Sequence, residues 1–473
     1  MRLRRYTGSA EMKIVVCIRQ GRDGEINPFD ACAYEEALKI NGAEIILLSM
    51  GVPSTESFLL NLTRLGAKKG ILLTDNAFAG ADTLATAYAL SLAIKRIQPD
   101  LVFCGRQTLE GDTAQTGPML SEMLEFSLIT NVMKIKSLEE KIVCETREEG
   151  EQSAQQPALI TIERINNLRL PSIRSKVSEV EVWNADTIGA NKQKCGLKGS
   201  PTRVLKTFEN QSGKRKCKFI TTDELQSAID EGLNKNKLKT KSEVLSGEKL
   251  NKVFIIGDRP MPFAKMISDD INVIPLTDET EISQIIMKES PSVVIWGSDA
   301  KSKRISARVA AKLSLGLCAD CTSLETDGGT LFMYRPALSG SIIAKIKSLT
   351  TPAMATVRTA GEDKSDIVVA LGYGVKDCID SVKVFAEKLN ATLCSSRKAV
   401  DNGLMPYDTQ VGLTGKTINP PVYIAIGISG AVHHIVGMER SGRVIAINPD
   451  IKAPIFDYAD YWIVADFKDL YTE

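Results

Sequence analysis

Histidine is the scarcest functional side chain in this sequence, and its scarcity excludes several kinds of enzyme. The 473 residues include only two histidines, His433 and His434, and 5% aromatic side chains. The sequence therefore offers no group of nucleophile, histidine and acid of the kind that hydrolases use. The Cys-x-x-Cys pair, Cys318 and Cys321, has no second cysteine pair or histidine nearby, so we interpret it as structural rather than as a zinc site.

Membrane-spanning segments and an excess of one charge are also missing. Lysine and arginine total 59 against 58 aspartate and glutamate, so no overall field favours nucleic acid or an acidic membrane. No apolar run is long enough to span a bilayer. The first eleven residues are basic but lack the apolar core of a signal peptide, and we expect a disordered extension there.

A disulfide framework is not indicated either. Ten cysteines are scattered along the chain, and Cys17 and Cys104 sit inside apolar strand patterns. This distribution favours reduced, buried thiols in a cytoplasmic protein. With 43% apolar and 25% charged residues, the chain has the composition of an ordinary soluble protein with roughly three domains.

The dominant pattern that is present is an alternation of strands and helices. Strands are predicted at 13–18, 44–49, 69–74 and 100–104, and helices at 31–39, 55–65, 82–96 and 115–124. Such alternation indicates a parallel sheet with helices on both faces. Further strands at 253–256, 293–296, 331–334 and 353–356 open a second domain of the same kind.

Two loops at predicted strand ends have the composition of a nucleotide site. One loop covers residues 27–30 and the other covers residues 105–118. Glycine, threonine and aspartate ahead of a helix offer backbone N–H groups and hydroxyls to phosphates. Structural alternatives stand beside this interpretation, because Asp30 can cap its helix and many strand–helix loops are equally polar.

The C-terminal part predicts a second ligand-binding edge. A buried strand at 422–427 is followed by a glycine turn and a helical run at 431–438. Two more strands end at Asn448 and Asp466, and parallel strands with polar ends form the carboxyl edge where open α/β folds bind ligands. His433 and His434 lie one turn inside the helix, where they either contact an electron-rich ligand or decorate an exposed face.

About seventy residues of this part resemble the FAD domain of the electron transfer flavoprotein alpha subunit. The matching stretches are 396–397, 399–401, 410–412, 414–416, 427–431, 434, 448, 453–455 and 465–466. The resemblance implies a bound FAD, with Thr414 near flavin N5, a protonated His434 at the N1–C2 carbonyl edge and Arg397 over the ring. The implied contacts are Ser396, Arg397, Gln410, Val411, Gly412, Leu413, Thr414, Ser429, Gly430, Ala431, Val432, His433, His434, Asn448, Asp466 and Phe467.

Two positions depart from the family pattern of this FAD domain. Tyr373 stands between two glycines where the family has an arginine, and Leu413 precedes Thr414 where the family has a glutamine. A cation close to the flavin favours its reduction, so the loss of the arginine leaves the flavin potential open.

The two loops of the first domain resemble the electron transfer flavoprotein beta subunit, which holds an adenine nucleotide between them. The run 111–118 is most similar to the electron-bifurcating branch, in which a second FAD replaces AMP and NADH is the electron donor. FAD and AMP both remain open, and we favour FAD. The implied contacts are Cys17, Asn27, Pro28, Phe29, Asp30, Gly51, Gly111, Asp112, Thr113, Ala114, Gln115, Thr116 and Gly117.

A leucine before a proline, Leu170, is similar to the residue through which the beta subunit docks on its partner. The alternative is a surface loop with one packed leucine. The resemblance implies an acyl-CoA dehydrogenase-like or other flavoprotein dehydrogenase as partner, with NADH as donor if the chain bifurcates.

We therefore predict an α/β chain with two doubly wound parallel-sheet domains, of the adenine nucleotide α-hydrolase-like kind, and a C-terminal flavodoxin- or Rossmann-like FAD-binding domain. The predicted parts are an extension at 1–11, a beta-like domain at 12–183, an arm and linker at 184–250, a shortened alpha-like domain at 251–361 and the FAD domain at 362–473. The predicted function is a fused electron transfer flavoprotein. The alternative is a redox-silent regulatory protein that binds adenine nucleotides.

Overall fold

Two compact units make up the described part of the chain. A computed structural model describes residues 12–139, 141–209, 215, 217–235, 248–338, 342–358, 365–412, 415–416, 418–439 and 441–470. The first unit comprises Met1–Lys206, Ser246–Leu338 and Ala344–Val357, and the second comprises Thr207–Leu245, Ser339–Ile343 and Arg358–Glu473. The predicted extension at 1–11, most of the predicted linker, Leu413 and Thr414 lie outside the described residues.

The strands, in chain order, are β1 Lys13–Cys17, β2 Glu44–Met50, β3 Lys69–Leu73, β4 Leu101–Gly105, β5 Ser127–Leu138, β6 Ile142–Thr146, β7 Gly150–Ala154, β8 Ala158–Ile162, β9 Glu179–Trp183, β10 Thr202–Glu209, β11 Lys218–Phe219, β12 Val253–Ile256, β13 Ile271–Ile274, β14 Val293–Gly297, β15 Leu317–Cys321, β16 Ser323–Asp327, β17 Thr330–Ala337, β18 Ile342–Ser348, β19 Ala353–Val357, β20 Ile367–Leu371, β21 Thr392–Ser395, β22 Val422–Ile426, β23 Arg443–Asn448 and β24 Tyr461–Val464.

The α-helices, in chain order, are α1 Pro28–Leu38, α2 Thr55–Thr63, α3 Thr83–Ile97, α4 Thr116–Leu124, α5 Gly196–Gly199, α6 Leu225–Lys235, α7 Met261–Ile267, α8 Glu279–Glu289, α9 Ala300–Leu313, α10 Ile379–Lys388, α11 Arg397–Asp401, α12 Val432–Met438 and α13 Phe467–Leu470. Within the described ranges, no helix is both long and apolar enough to cross a membrane.

A nine-stranded sheet forms the first domain, in the order β7-β6-β5-β8-β4-β1-β2-β3-β9. From β5 through β8 to β9 the neighbouring strands run parallel, and β6 and β7 continue the sheet antiparallel. The central strands are buried on both faces, which explains their continuous runs of Val, Ile and Leu. The doubly wound parallel sheet predicted from the sequence is confirmed.

A smaller parallel sheet of the first unit has the order β13-β12-β14-β19-β15. Its strands pair parallel throughout, and Trp296 at the end of β14 is fully buried. The apolar faces of α4 and α9 contribute to the same core cluster, so this domain and the first share buried surface. Arg308 on α9 reinforces that contact by pairing with Glu122 on α4 at 2.8 Å.

The second unit is built on a six-stranded parallel sheet, in the order β11-β24-β23-β22-β20-β21. The order changes direction between β20 and β22, because β20 pairs with β21 on one side and with β22 on the other. In open parallel sheets this reversal opens a crevice at the carboxyl ends of the strands. The predicted third α/β fold is confirmed, and its crevice lies between the ends of β20 and β22.

Candidate functional site

A cavity of about 360 Å³ lies at the carboxyl edge of the nine-stranded sheet. The ends of β1, β2 and β4 and the start of α4 form one side of it, and β15 with Arg335 forms part of the other. The volume is within the range of small-molecule sites. The topology therefore places a ligand-sized space where the sequence predicted a nucleotide.

Asp30 ties two strands together at the floor of this cavity. Its carboxylate accepts hydrogen bonds from the backbone N–H of Arg19 at 2.9 Å and of Gly105 at 3.1 Å. Burial raises the pKa of Asp30 to about 7, although these hydrogen bonds oppose the shift. The interpretation of Asp30 as a helix cap is wrong, because α1 begins at Pro28 and Asn27 occupies the cap position.

The loop between β4 and α4 contains two non-glycine residues with left-handed backbone conformations. Asp112 and Ala114 have left-handed φ angles of 52° and 54°, which are uncommon for residues other than glycine. Such conformations persist only where the surroundings hold them, and they concentrate at functional sites. Here the holding contacts come from Arg335, which donates to the carbonyls of Gly111 at 2.8 Å and Asp112 at 2.9 Å.

Arg335 is a buried cation that lines the cavity. Its third hydrogen bond goes to the carbonyl of Ala319 at 2.8 Å, and among the described residues it forms no ion pair with a carboxylate. A buried charge without a counter-charge is costly. A phosphate or an electron-rich ring in the cavity would supply the missing negative partner.

Gln115 presents an unsatisfied donor at the same place. Its Oε1 accepts from the hydroxyl of Thr83 at 3.1 Å, whereas its Nε2 is buried and has no hydrogen-bond partner among the described residues. Buried polar groups in native proteins are nearly always satisfied by protein, water or ligand. The residues present therefore fit a polar ligand in the cavity.

The cavity gathers most but not all of the residues predicted for it. Cys17, Asp30, Gly111, Thr113, Ala114, Gln115, Thr116 and Gly117 line it. Asn27, Pro28, Phe29, Gly51 and Asp112 do not line it, and Met50 takes the place expected of Gly51. Asn27 instead donates to the carbonyl of Gln107 at 2.9 Å, and so holds the second loop.

Several lining residues come from elements outside the two loops and were not predicted from the sequence: Arg19, Asp82, Thr83, Thr86, Thr202, Val204, Cys318 and Arg335. A signal was available for the Asp82–Thr83 pair, because it also opens a helix at a strand end. Asp82 caps α3 by accepting from the N–H groups of Leu84 and Ala85, both at 3.0 Å.

The second unit assembles the other predicted site at the ends of β22 and β23. After β22 the chain turns at Gly427 and Gly430, both with positive φ, and then begins α12. No side chain of the described residues caps α12, and the N–H groups of His434 and Ile435 donate to the carbonyl of Ala431 at 2.8 and 3.2 Å. An anion at this edge would therefore meet the N–H groups of the glycine turn that precedes the helix. Asn448, at the end of β23, fixes the turn by donating to the carbonyl of Ile428 at 2.9 Å.

Gly430 and Gly412 permit backbone contacts that a side chain would prevent. A Cβ on Gly430 would lie 2.1 Å from the backbone nitrogen of Ile455, and one on Gly412 would lie 2.6 Å from the carbonyl oxygen of His433. The glycines therefore let three segments converge at one edge of the sheet.

His434 is buried, whereas His433 is exposed. The Nε2 atom of His434 is 2.7 Å from the hydroxyl of Tyr423. Its Nδ1 is buried without a partner at hydrogen-bonding geometry among the described residues. Burial lowers the pKa of His434 to about 4, although the Val411 backbone opposes the shift. A group with this pKa is neutral at pH 7, so the burial of His434 favours the neutral imidazole over the protonated one that was expected.

The remaining predicted FAD contacts lie at the ends of β21 and β24, on α11 and α13, and around the start of α12. Gln410 and Val411 are buried beside the end of β21, where Gln410 bridges to Ser395. Ser396 caps α11, Arg397 pairs with Asp401 at 3.2 Å, and Phe467 packs edge-on against Phe385 at 5.4 Å between ring centroids. In the described part, Ser429, Ala431 and Val432 belong to the turn and start of α12, and Asp466 follows β24 with its pKa lowered by Lys468.

Tyr373 occupies a short 3₁₀ turn after β20. The ammonium of Lys398 lies 4.9 Å from the centre of its ring, and that of Lys376 lies 5.7 Å away. The tyrosine that stands in place of the family's arginine thus has two cations over its ring.

The chain matches two families along most of its length. Residues 14–188 and 272–366 match the electron transfer flavoprotein domain, and residues 363–439 match the electron transfer flavoprotein FAD-binding domain. These matches, with the cavity in the first unit and the glycine turn after β22 in the second, define a protein with a nucleotide-binding α/β part and an FAD-binding part. The chain belongs to the electron transfer flavoprotein family.

Relatives of both subunit types align with it. The electron transfer flavoprotein subunit beta of Thermoanaerobacterium thermosaccharolyticum is 43% identical over 202 residues, which is 40% of this chain and 78% of the relative. Protein FixA of Sinorhizobium fredii is 40% identical over 237 residues, which is 46% of this chain and 82% of the relative. The subunit alpha of T. thermosaccharolyticum is 34% identical over 231 residues, which is 39% of this chain and 70% of the relative. The predicted fusion of beta-like and alpha-like parts is confirmed.

The close approach at Gly430 generates a prediction with a matched control. Gly430→Ala introduces both a clash with Ile455 and a strained φ, whereas Gly403→Ala introduces strain alone, because no atom lies within 4 Å of the Cβ position of Gly403. Left-handed strain costs roughly 1–2 kcal/mol in each variant. We expect Gly403→Ala to retain FAD through desalting and Gly430→Ala to release it, as measured by absorbance of the protein fraction. Equal retention by both variants would contradict the role of this contact.

The buried His434 predicts how the stability of the FAD-binding unit depends on pH. The pKa of His434 in the folded chain, about 4, lies below the ordinary value of 6.5. The contribution of the neutral side chain to the free energy of unfolding is therefore complete above pH 6.5 and is lost as the pH falls towards 4. The shift corresponds to at most about 3 kcal/mol. His434→Gln should flatten the fall in thermal midpoint between pH 6.5 and 4.5, and exposed His433→Gln is the matched control. An unchanged slope in His434→Gln would show that His434 is not buried as a neutral group.

Proposed function

We propose that this chain carries electrons between a flavoprotein dehydrogenase, or NADH, and a partner redox protein. The observation that supports this most directly is the presence of a beta-type segment and an alpha-type FAD-binding segment in one chain. Bound FAD supplies the reversible uptake and release of electrons, and the protein supplies position and polarity.

In the second unit, the residues suited to FAD have separate tasks. The glycine turn that precedes α12 is suited to donate backbone N–H groups to the pyrophosphate. The Tyr423 hydroxyl lies 2.7 Å from His434 Nε2, and we assign the hydroxyl as the donor, which keeps the ring proton of His434 on Nδ1. We propose that this N–H donates to a carbonyl oxygen at the flavin edge. Lys398, beside the Tyr373 ring, places a cation near the position where the family has arginine.

In the first unit, we propose a second FAD in the cavity at the end of the nine-stranded sheet. The cavity extends beyond the β4–α4 loop to Cys318, Ala319 and Arg335 of the second domain. AMP would need only the part formed by the first domain, whereas FAD would also reach the buried guanidinium. Gln115 Nε2 and Arg335 are then a donor and a cation that the ligand satisfies.

A long loop of the first unit is suited to partner docking. Residues 163–178, which we call the docking loop, connect β8 to β9 without regular structure. Leu170 is 90% exposed and is not packed, so the partner-docking interpretation is favoured over a packed surface leucine. We propose an acyl-CoA dehydrogenase-like or other flavoprotein dehydrogenase as the partner. The ten free thiols favour a reducing compartment such as the cytoplasm.

The number of nucleotides per chain tests the proposal for the cavity. We expect extraction and chromatography to find two FAD per chain and no AMP. Gln115→Leu removes the unsatisfied donor and should weaken binding in the cavity by roughly tenfold while leaving the C-terminal FAD in place. One FAD with one AMP would refute the second flavin. Unchanged retention in Gln115→Leu would show that the ligand lies elsewhere.

Rapid mixing with NADH tests the identity of the donor. With FAD in the cavity we expect NADH to bleach the flavin absorbance within a turnover, because a two-electron donor then has a flavin to reduce. Gln115→Leu should bleach more slowly at the same NADH concentration. A chain that keeps its oxidised spectrum with NADH, yet is reduced by an acyl-CoA dehydrogenase and its substrate, would be a simple shuttle. Nucleotides that bind without any reduction by either donor would favour the redox-silent regulator.

A further inference from the structure

Two glutamates of α1, Glu35 and Glu36, contact the docking loop. Every residue of α1 from Phe29 to Ala37 is buried, including Glu35 and Glu36, which are only 7% and 8% exposed. Cys32, Glu35, Glu36 and Lys39 lie on one side of the helix, at the i, i+3, i+4 and i+7 spacing that shares a face. From this side, Cys32, Glu35 and Glu36 each form a hydrogen bond with the docking loop.

The contacts between this face and the docking loop are dense. Glu35 receives the guanidinium of Arg169, with Nη2 to Oε1 at 2.7 Å and Nε to Oε2 at 3.0 Å, and it also accepts from the Arg169 backbone N–H at 3.1 Å. Glu36 accepts from Asn166 Nδ2 at 2.6 Å. The Cys32 thiol donates to the carbonyl of Asn166 at 3.0 Å.

Contacts with the docking loop offset the free-energy cost of burying the carboxylates of Glu35 and Glu36. A buried carboxylate is costly unless it is paired and hydrogen-bonded. Among the described residues, the hydrogen-bond partners of Glu35 all belong to Arg169, whereas Glu36 pairs with Asn166 and with Lys39 at the end of its own helix. Burial alone would raise the pKa of Glu35, yet the hydrogen bonds and charge of Arg169 hold it below its ordinary value. The docking loop therefore supplies the hydrogen-bond partners of Glu35 and one of the two partners of Glu36.

Several side chains of the docking loop beyond Arg169 are exposed to solvent. Leu170 is 90% exposed and Ile173 is 99% exposed, so two large apolar side chains project from a segment whose base is fixed. Arg174 and Lys176 are exposed and form no ion pair within the described ranges, whereas the charge of Arg169 is neutralised by Glu35. The outward face of the docking loop thus combines apolar side chains with unpaired cations.

We propose that Glu35 and Glu36 are positioning residues that pre-order the docking loop, and that the surface which docks there is an apolar pocket with an acidic rim. Ordering a loop on binding lowers affinity, so a tether that orders it beforehand strengthens docking without touching the partner. The unpaired cations match carboxylates around the pocket and accelerate encounter at low salt. This inference rests on the proposed docking function for its partner, but the tether itself is independent of it.

Hydrogen exchange of the full chain tests the tether directly. Glu35→Gln keeps the size of the side chain and removes the charge that holds Arg169. We expect the amides of residues 165–177 to exchange at least tenfold faster than in the wild type, with faster tryptic cleavage after Arg174, which Glu35→Gln and Arg169→Gln both retain. Arg169→Gln breaks the same contact from the half-exposed side and should give the same result, so a folding defect in Glu35→Gln alone would not decide the question.

A matched ion pair elsewhere on the sheet provides the control. Glu44 pairs with Lys68 at 2.7 Å, far along the chain from the docking loop, and Glu44→Gln should leave the exchange of residues 165–177 unchanged. Wild-type exchange and cleavage in both Glu35→Gln and Arg169→Gln would overturn the tether. The double variant should be no worse than either single one, because both remove the same contact.

Kinetics with an acyl-CoA dehydrogenase and its acyl-CoA substrate test the consequence for docking. Glu35→Gln should raise the KM for the dehydrogenase about fivefold with little change in kcat, and FAD content should stay as in the wild type. Leu170→Ala with Ile173→Ala should raise the KM further, and Arg174→Gln with Lys176→Gln should reduce its dependence on salt. If Leu170→Ala with Ile173→Ala leaves the KM unchanged, the docking function fails while the exchange data still decide the tether. A raised KM in that variant with a wild-type KM in Glu35→Gln would overturn the positioning role.

Discussion

Parallel strand pairing is the constraint on which both candidate sites depend. In a parallel sheet the carboxyl ends of all strands lie at the same edge, so strand pairing alone brings residues far apart in the chain close together there. Cys17, Met50 and Gly105 end β1, β2 and β4 and lie together at the cavity. The ends of β22 and β23 bring the glycine turn and Asn448 together in the same way. Function is then added by loops that follow the strands.

Arg335 shows how the two domains of the first unit combine into one site. It lies on β17, yet two of its three hydrogen bonds within the described residues go to carbonyls of the loop that follows β4. The loop needs that support, since Asp112 and Ala114 have left-handed backbones. The same guanidinium gives the cavity a buried positive charge. One residue therefore holds the shape of the loop and sets the sign of charge that a ligand must bring.

The sequence predicted the elements and the strand ends well because both are local patterns. Alternating apolar runs and helical segments placed β1, β4, α4 and β22 within one or two residues of their observed bounds. Motif resemblance then supplied the identity of the loops. Met50, the last residue of β2, lines the cavity, whereas Gly51 follows the strand and does not line it.

What the sequence did not predict depends on pairs that are distant in the chain. Arg335 and Gly111 are 224 residues apart, and Arg169 and Glu35 are 134 apart, so no local pattern connects them. The burial of His434 was not predicted for a related reason. Its burial and its contact with Tyr423 depend on how α12 packs on β22, whereas the helical pattern alone fits an exposed face equally well.

The central claim is that this chain is a carrier of electrons through bound FAD. The most direct measurement is the visible spectrum of the desalted protein during one cycle of reduction and reoxidation, with dithionite as reductant and ferricyanide as acceptor. The account predicts a flavin spectrum that travels with the protein, bleaches on reduction and returns in full when the acceptor is added. A protein that remains colourless after reconstitution with excess FAD and desalting would contradict the account.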